Sequence, residues 1–287
     1  MEVNNTMSKS NNFKPNNFKN IQNFAKLGMK IITQSPLLIK SGEEDPLEES
    51  NNPRFLRSHD IHGREVCIIP GSTIKGFIRG NLERISTYLK KGDKIIPNRF
   101  GYTHFNKPKN TRKENNASNI YCNQFIAHHP QFEIRPQIAI NPKTQATRHG
   151  ALLNLESVST GTVFEGSIKL RNWDIRLLGM LGIIIDLANK GLISLGSNKS
   201  RGFGVLKFEI EKLTIQILGG ENNSICKYEL DENSFSLILP NNKVQFKSEN
   251  ITDIIIVNKD FPLYDEIILS KELSQELLNY SVNKITI

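Results

Sequence analysis

Apolar and polar positions along the chain fall into stretches with different periods. Strand patterns, in which successive side chains point to opposite faces, are predicted over residues 26–39, 64–69, 119–127, 161–170 and 204–210. Pro36 marks an edge or a bulge in the first of them, because proline cannot donate to a ladder. Residues 132–155 alternate as a hairpin with Lys143, Thr144 and Arg148 near its tip. A helical recurrence of Ile74, Phe77, Ile78, Leu82, Ile85 and Leu89 predicts a helix over 72–91, with Pro70-Gly71 breaking the preceding strand and Ser72 as N-cap. A second recurrence, Leu177, Met180, Leu181, Ile184, Ile185 and Ala188, predicts a buried helix over 174–190 ended by Gly191 at C′. Its apolar run, 177–188, falls short of the roughly 20 residues that cross a bilayer.

Between these elements lie polar loops over 41–63 and 92–118. The first two dozen residues, with Asn4, Asn5, Asn11, Asn12, Asn16 and Asn17, are too polar to pack and lack the apolar core of a signal peptide. Beyond 213, strand runs at 213–218, 235–239, 243–246 and 251–257 surround the turn Pro240-Asn241-Asn242, and a short helix is expected over 270–280. Strand, helix, strand, insertion, strand, helix and strand is the order of a ferredoxin-like or RRM-like α+β sheet. The expected organisation is therefore an Asn-rich tail over 1–24, an α+β domain over 25–212 and a β-rich appendage over 213–287. Such folds host many functions, so the order alone decides none.

Charge narrows the choice. With 287 residues, a net charge of +8 and a pI near 9.3, the chain favours an anionic partner, of which nucleic acid is the commonest. Lys75 and Arg79, four residues apart, share the polar face of the first helix near its N-terminus, where unpaired N–H groups and the helix dipole suit a phosphate. The same spacing also describes an amphipathic helix with a solvated basic face. In the 92–118 loop, Arg99, Lys107, Lys109, Arg112 and Lys113 alternate with Phe100, Tyr102 and Phe105. That mixture suits single-stranded RNA, where cations track phosphates and rings stack on bases, and equally an insertion anchored by its aromatics. Cys67, Cys122 and Cys226 are odd in number and widely spaced, which points to reduced thiols in a cytoplasm and neither to a disulfide framework nor to a zinc site. His128 and His129, adjacent before Pro130, suit a turn better than a shared metal; His149 beside Arg148 reads as surface.

A second glycine-bearing stretch, Leu195-Gly196-Ser197-Asn198-Lys199-Ser200-Arg201-Gly202-Phe203-Gly204, allows positive φ and close backbone approach while carrying two cations. With Ile69-Pro70-Gly71-Ser72-Thr73-Ile74-Lys75-Gly76 and Arg79 it resembles the RAMP superfamily of CRISPR proteins, whose members carry an Ile-Pro-Gly-Ser-Ser-Leu-Lys-Gly-x-x-Arg segment and a C-terminal Gly-Gly loop ending Ser-Arg-Gly-x-Gly before a strand. Between them, Ile140-Asn141-Pro142-Lys143-Thr144 and Glu156-Ser157-Val158-Ser159-Thr160-Gly161-Thr162-Val163-Phe164 look like that family's Ile-Asn/Asp-x-x-Thr and Glu-x-Val-x-x-Gly-Thr-x-Phe run. Three matches in order over roughly residues 27–212 resemble the backbone-type (Csm/Cmr-like) subunits of type III effector complexes.

The resemblance implies a subunit that binds a guide RNA and its complementary target RNA among other effector subunits, with no membrane. RNA contacts would come from Ser72, Lys75 and Arg79, from Arg135, Lys143, Thr144 and Arg148 of a protruding hairpin that wedges into the guide–target duplex, and from Lys199, Ser200, Arg201 and Gly202. In the RNA-cleaving relatives an Asp opening an Asp-x-Pro-Val motif supports metal-dependent cleavage, whereas this chain has Asn51-Asn52-Pro53-Arg54. An amide at Asn51 supplies no full negative charge to a metal, so Asp45, Glu48 and Glu49 are the remaining catalytic candidates, and Mg²⁺ enters only with cleavage. Two other readings stand beside it: an endoribonuclease of the same superfamily with His59 or His62 as general base, and a non-catalytic capping or scaffold subunit.

Overall fold

Burial alternates along Asn23–Thr33, with Ala25, Leu27, Met29 and Ile31 all buried. This strand, β1, is the spine of a mixed α/β fold in a computed structural model that describes residues 21, 23–40, 52–88, 95–102, 116–218, 227–231, 234–239, 242–247, 254–259 and 264–284. After it come β2 (Arg57–His59), β3 (Glu65–Ile69), α1 (Gly71–Tyr88), α2 (Ile95–Phe100), β4 (Ile120–Cys122), β5 (Phe125–Ala127), β6 (Phe132–Ile140), β7 (Thr147–Val158), β8 (Val163–Arg171) and α3 (Ile175–Asn189). The chain continues through a 3-10 turn at Lys199–Arg201, β9 (Leu206–Leu218), β10 (Lys227–Asp231), β11 (Ser234–Leu239), β12 (Asn242–Lys247), β13 (Ile254–Lys259), β14 (Tyr264–Leu269) and α4 (Lys271–Lys284).

Nine strands form one antiparallel sheet among the described residues, in the order β13-β14-β9-β1-β8-β5-β3-β2, with β4 also on β8. Strands β10, β11 and β12 make a separate small sheet, and β6 with β7 makes a two-stranded hairpin. Along β9 the inward parity changes. Phe208 and Ile210 face Ile31 and Met29, while Leu213 and Ile215 face Leu27 and Ala25, so a bulge at Glu211 and Lys212 turns both polar side chains outward. The helices cover the inward face, as the stacking of Phe77 of α1 on Phe208 shows, with centroids 6.2 Å apart.

Helix α3 begins and ends where its local sequence directs. Asp174 accepts from the Leu177 N–H at 2.9 Å, and Gly191, at φ 68°, closes the C-terminus with its N–H on the Ala188 carbonyl. Helix α1 differs from expectation by one step: it starts at Gly71, so Ser72 lies in the first turn and is not the N-cap. A Cβ at Gly71 would sit on the Cys122 carbonyl oxygen, and that close approach keeps the position glycine.

Other expectations shift in ways that tertiary neighbours explain. The opening strand ends at Thr33; residues 37 and 40 instead form isolated bridges to Val158 and Phe55. The 119–127 stretch divides into β4 and β5. Within the expected basic loop, Arg99 and Phe100 are buried in α2, with Arg99 paired to Asp174. Strand β9 runs unbroken through residue 213, and β14 pairs with its second half, so the C-terminal strands extend the same sheet; β10 and β14 had no counterpart in the sequence pattern. The tail over 1–20, the remainder of the basic loop at 103–115 and the turn at Pro240 and Asn241 lie outside the described residues.

Candidate nucleic-acid interface

The glycine-bearing loop closes on itself and on the chain leaving β1. Leu195 N–H donates to the Gly204 carbonyl at 2.9 Å, Ser197 N–H to Leu38 at 2.8 Å and Gly204 N–H to Pro36 at 2.8 Å. Gly204, at φ 80°, has the Leu195 carbonyl oxygen where a Cβ would stand; Gly202, at φ 82°, faces open space. Close backbone approach is thus the work of Gly204 and of Gly196, where a Cβ would stand 2.5 Å from the Leu38 carbonyl oxygen, and Gly202 supplies only the left-handed turn after Lys199–Arg201. Lys199, Ser200 and Arg201 all stand exposed on that turn.

Beneath them Phe203 is buried with Leu38 and Leu155, and Leu153 packs against that cluster. Two of these residues belong to β7, so the loop is seated on the hairpin. Directly opposite strand partners share a face, which puts Glu133, Arg135 and Gln137 with Leu153 and Leu155 on the loop side. Arg201 donates through Nη1 to Gln137 Oε1, and the Arg135 guanidinium lies 5.4 Å from the Phe203 ring centroid while pairing with Glu133 at 3.3 Å. Arg135, Lys199 and Arg201 are thereby gathered on one edge. Sequence reasoning missed Gln137, Phe203, Leu38 and Leu155, which do the gathering; a lone apolar residue between two glycines is the one local sign that Phe203 is an anchor. Lys143 and Thr144 are exposed at the hairpin tip, and Arg148 lies on β7 with its side chain outside the described residues.

Lys75 and Arg79 turn elsewhere. Lys75 is half-buried and donates to Ser118 Oγ at 2.9 Å, and burial holds its pKa below the ordinary lysine value. Arg79 pairs with Glu83 at 2.7 Å and reaches the Gly101 carbonyl at 3.5 Å. Both cations are therefore partnered within the chain, and Ser72 is exposed beside them.

The Glu156-to-Phe164 motif ties the hairpin root to β1. Glu156 pairs with Arg57 at 2.7 Å, Val158 and Leu37 exchange both backbone hydrogen bonds at 3.0 Å, and Thr33 Oγ1 accepts from Thr162 N–H at 2.9 Å while donating to the Ser159 carbonyl at 2.8 Å. Asp45, Glu48, Glu49 and Asn51 lie outside the described residues. The exit of their loop is fixed beside β7: Asn52 Oδ1 accepts from Asn154 N–H at 2.8 Å, and the Pro53 carbonyl from Glu156 N–H at 3.0 Å.

Among the described residues no group of three or more His, Cys, Asp or Glu is placed to hold a metal. His59 and His62 are exposed, the latter in a turn whose Asp60 carboxylate is held below the usual range by the Arg64 and His62 N–H groups. His128 and His129, also exposed, line two clefts that share Gln131 as well. Cys67 and Cys122 are free thiols, each pushed up to about 12 by burial, which makes them inert packing groups. No described helix is long and apolar enough to cross a membrane.

A helix-backed antiparallel sheet with a basic, glycine-closed loop seated on a hairpin defines an α/β protein in which Arg135, Lys199 and Arg201 are exposed together on one edge. Residues 30–207 match the family model of the RAMP superfamily, and the chain belongs to that superfamily. Among solved structures, a chain from a "Type IV-B CRISPR Complex" is similar at 11% identity and a TM-score of 0.47, over 64% of this chain and 90% of that one. No curated protein matches the chain.

Proposed function

We propose that this protein is a guide-RNA-binding backbone subunit of a type III CRISPR interference complex, acting in antiviral defence beside other effector subunits. In this reading β9-β1-β8 with β4, crossed by α1 and α3, is the ferredoxin-like unit of residues 25–212, and 213–287 is an appendage built on its edge. The observation that carries the proposal is the seating of the Lys199–Arg201 turn on the hairpin through Gln137 and Phe203, which sets three cations beside one projecting element. Such an edge suits a phosphodiester backbone, since exposed cations gathered at one place displace the counterions condensed along the phosphates. Free thiols at Cys67, buried, and Cys122, partly buried, suit a cytoplasmic setting.

The test is a salt series on RNA binding. Lys199→Ala with Arg201→Ala should lower the log–log slope by roughly 1.4, about 0.7 for each lost contact on a single strand. Lys75→Ala with Arg79→Ala should change it less, because Lys75 is half-buried on Ser118 and Arg79 is neutralised by Glu83, whereas Lys199 and Arg201 are exposed and pair with no carboxylate among the described residues. An unchanged slope in the loop variant, with intact folding, would overturn the proposal. Target cleavage should be slow or absent with Asn51 in place of the family's Asp, and Asn51→Asp should create or raise Mg²⁺-dependent cutting in the assembled complex. If the parent cuts and Asp45→Ala abolishes it while Asn51→Asp does nothing, the carboxylate comes from elsewhere in the loop.

A further inference from the structure

The face of the main sheet turned away from α1 and α3 carries charge in an uneven way. On β1 the outward positions include Lys26, Gly28 and Lys30. Lys30 is neutralised twice, by Glu211 at 2.7 Å and Glu165 at 3.4 Å, and these carboxylates raise its pKa. Four residues earlier the arrangement is reversed. Lys26 stands directly opposite Lys169 of β8, both are exposed, and neither forms an ion pair with a described residue. Like charges directly opposite on a sheet are destabilising, so this pair is a local cost that the fold itself does not offset.

Two further features sit on the same face. Tyr121 of β4 is the direct partner of Lys169, is 40% exposed, and has the Arg171 guanidinium 6.0 Å from its ring centroid. Lys212, turned outward by the β9 bulge, lies opposite Gly28, and a Cβ at that glycine would stand 3.4 Å from the Lys212 Cγ. The missing side chain leaves the lysine stem room to lie along the sheet. Tyr121, Lys169 and Lys26 thus form a row across three neighbouring strands, about 5 Å from one to the next, with Lys212 beside it.

We infer that this open sheet face is a second nucleic-acid contact, in which Tyr121 stacks on a base of single-stranded RNA while Lys169, Lys26 and Lys212 hold the adjoining phosphates. An aromatic ring beside a row of unneutralised cations meets both parts of a nucleotide, and the base-independent π-face needs no particular sequence. The inference rests on the RNA-binding reading above but uses none of its residues.

Full-length protein titrated with fluorescein-labelled oligoadenylate across a salt series tests it. Lys26→Gln/Lys169→Gln/Lys212→Gln should lower the log–log slope by roughly 2, at about 0.7 per contact. Tyr121→Leu should weaken binding about 5-fold or more with the slope unchanged. Because the triple variant removes facing like charges, its melting temperature should equal or exceed the parent's, which separates lost binding from lost folding. Parental affinity and slope in both variants, while Lys199→Ala/Arg201→Ala still loses RNA, would overturn this inference alone. A parent that binds no oligoadenylate overturns both readings. Parental RNA binding by the triple variant together with lost binding of polyglutamate would assign the face to an acidic protein and equally overturn the inference.

Discussion

Gly202 and Gly204 offer a controlled comparison, because they share a backbone conformation and differ in what surrounds them. Their φ values are 82° and 80°, so an alanine at either position meets the same left-handed strain of about 1–2 kcal/mol. At Gly202 that strain is the whole cost, since nothing lies within 4 Å of the added methyl. At Gly204 the methyl would overlap the Leu195 carbonyl oxygen, and relieving the overlap stretches the Leu195-to-Gly204 and Gly204-to-Pro36 backbone hydrogen bonds. Each buried bond left unmade costs about 1–3 kcal/mol, so with two such bonds and the strain Gly204→Ala should lose roughly 3–8 kcal/mol in all. At about 2 °C per kcal/mol for a chain of this size, the expected melting shifts are about 2–4 °C for Gly202→Ala and about 6–16 °C for Gly204→Ala. Thermal and urea denaturation followed by circular dichroism would measure both. Equal losses, or a larger loss at Gly202, would show that the loop is not closed on Leu195 as described.

Removing the carboxylate of Asp174 takes away both the cap of α3 and the partner of buried Arg99, so Asp174→Ala should cost about 3–5 kcal/mol, and Arg99→Met with Asp174→Leu should recover much of it. A single-variant loss under about 1 kcal/mol in urea melts would place that pair at the surface. The raised thiols make a kinetic prediction: peptides containing Cys67 and Cys122 should stay unlabelled by iodoacetamide near pH 8 until the protein unfolds. Their sign is also fixed. A thiol that keeps its proton up to about 12 when folded but ionises near 8.5 when unfolded favours the native state below about pH 8.5, and that contribution is lost progressively as pH rises toward 12; melting temperatures flat across that window would contradict it.

What the sequence made legible was what neighbouring residues decide. Helix α3 has its apolar recurrence and its terminating glycine close together in sequence, and the structure places Gly191 as the pattern required, while Asp174, expected as the first helical residue, stands one step outside as the N-cap. The hairpin was equally readable, because alternation and a polar tip are local properties. What escaped was decided at a distance. Arg99 looked like a mobile cation until Asp174, 75 residues away, gave it a buried partner. Lys75 and Arg79 share a helix face as predicted, but Ser118 and Gly101 come to that face from another segment. The β9 bulge left a trace that could have been used, since Glu211 and Lys212 are two polar residues in succession inside an alternating strand. Gln137 gave no such trace: nothing in its surroundings announces a hydrogen bond to Arg201.

Strand β9 has a further consequence for how the molecule comes apart. Its 13 residues leave the glycine loop, cross the bulge and finish between β1 and β14, so the family-matched part and the later strands share a single continuous rod of backbone. Fraying the C-terminal strands would strip one edge from residues 213–218 while the other edge still held β1, so damage there reaches the central sheet without a linker to absorb it. Amide exchange should register this as slow-exchanging protons in β1, β9 and β14 that open together, one cooperative block with no seam at residue 212.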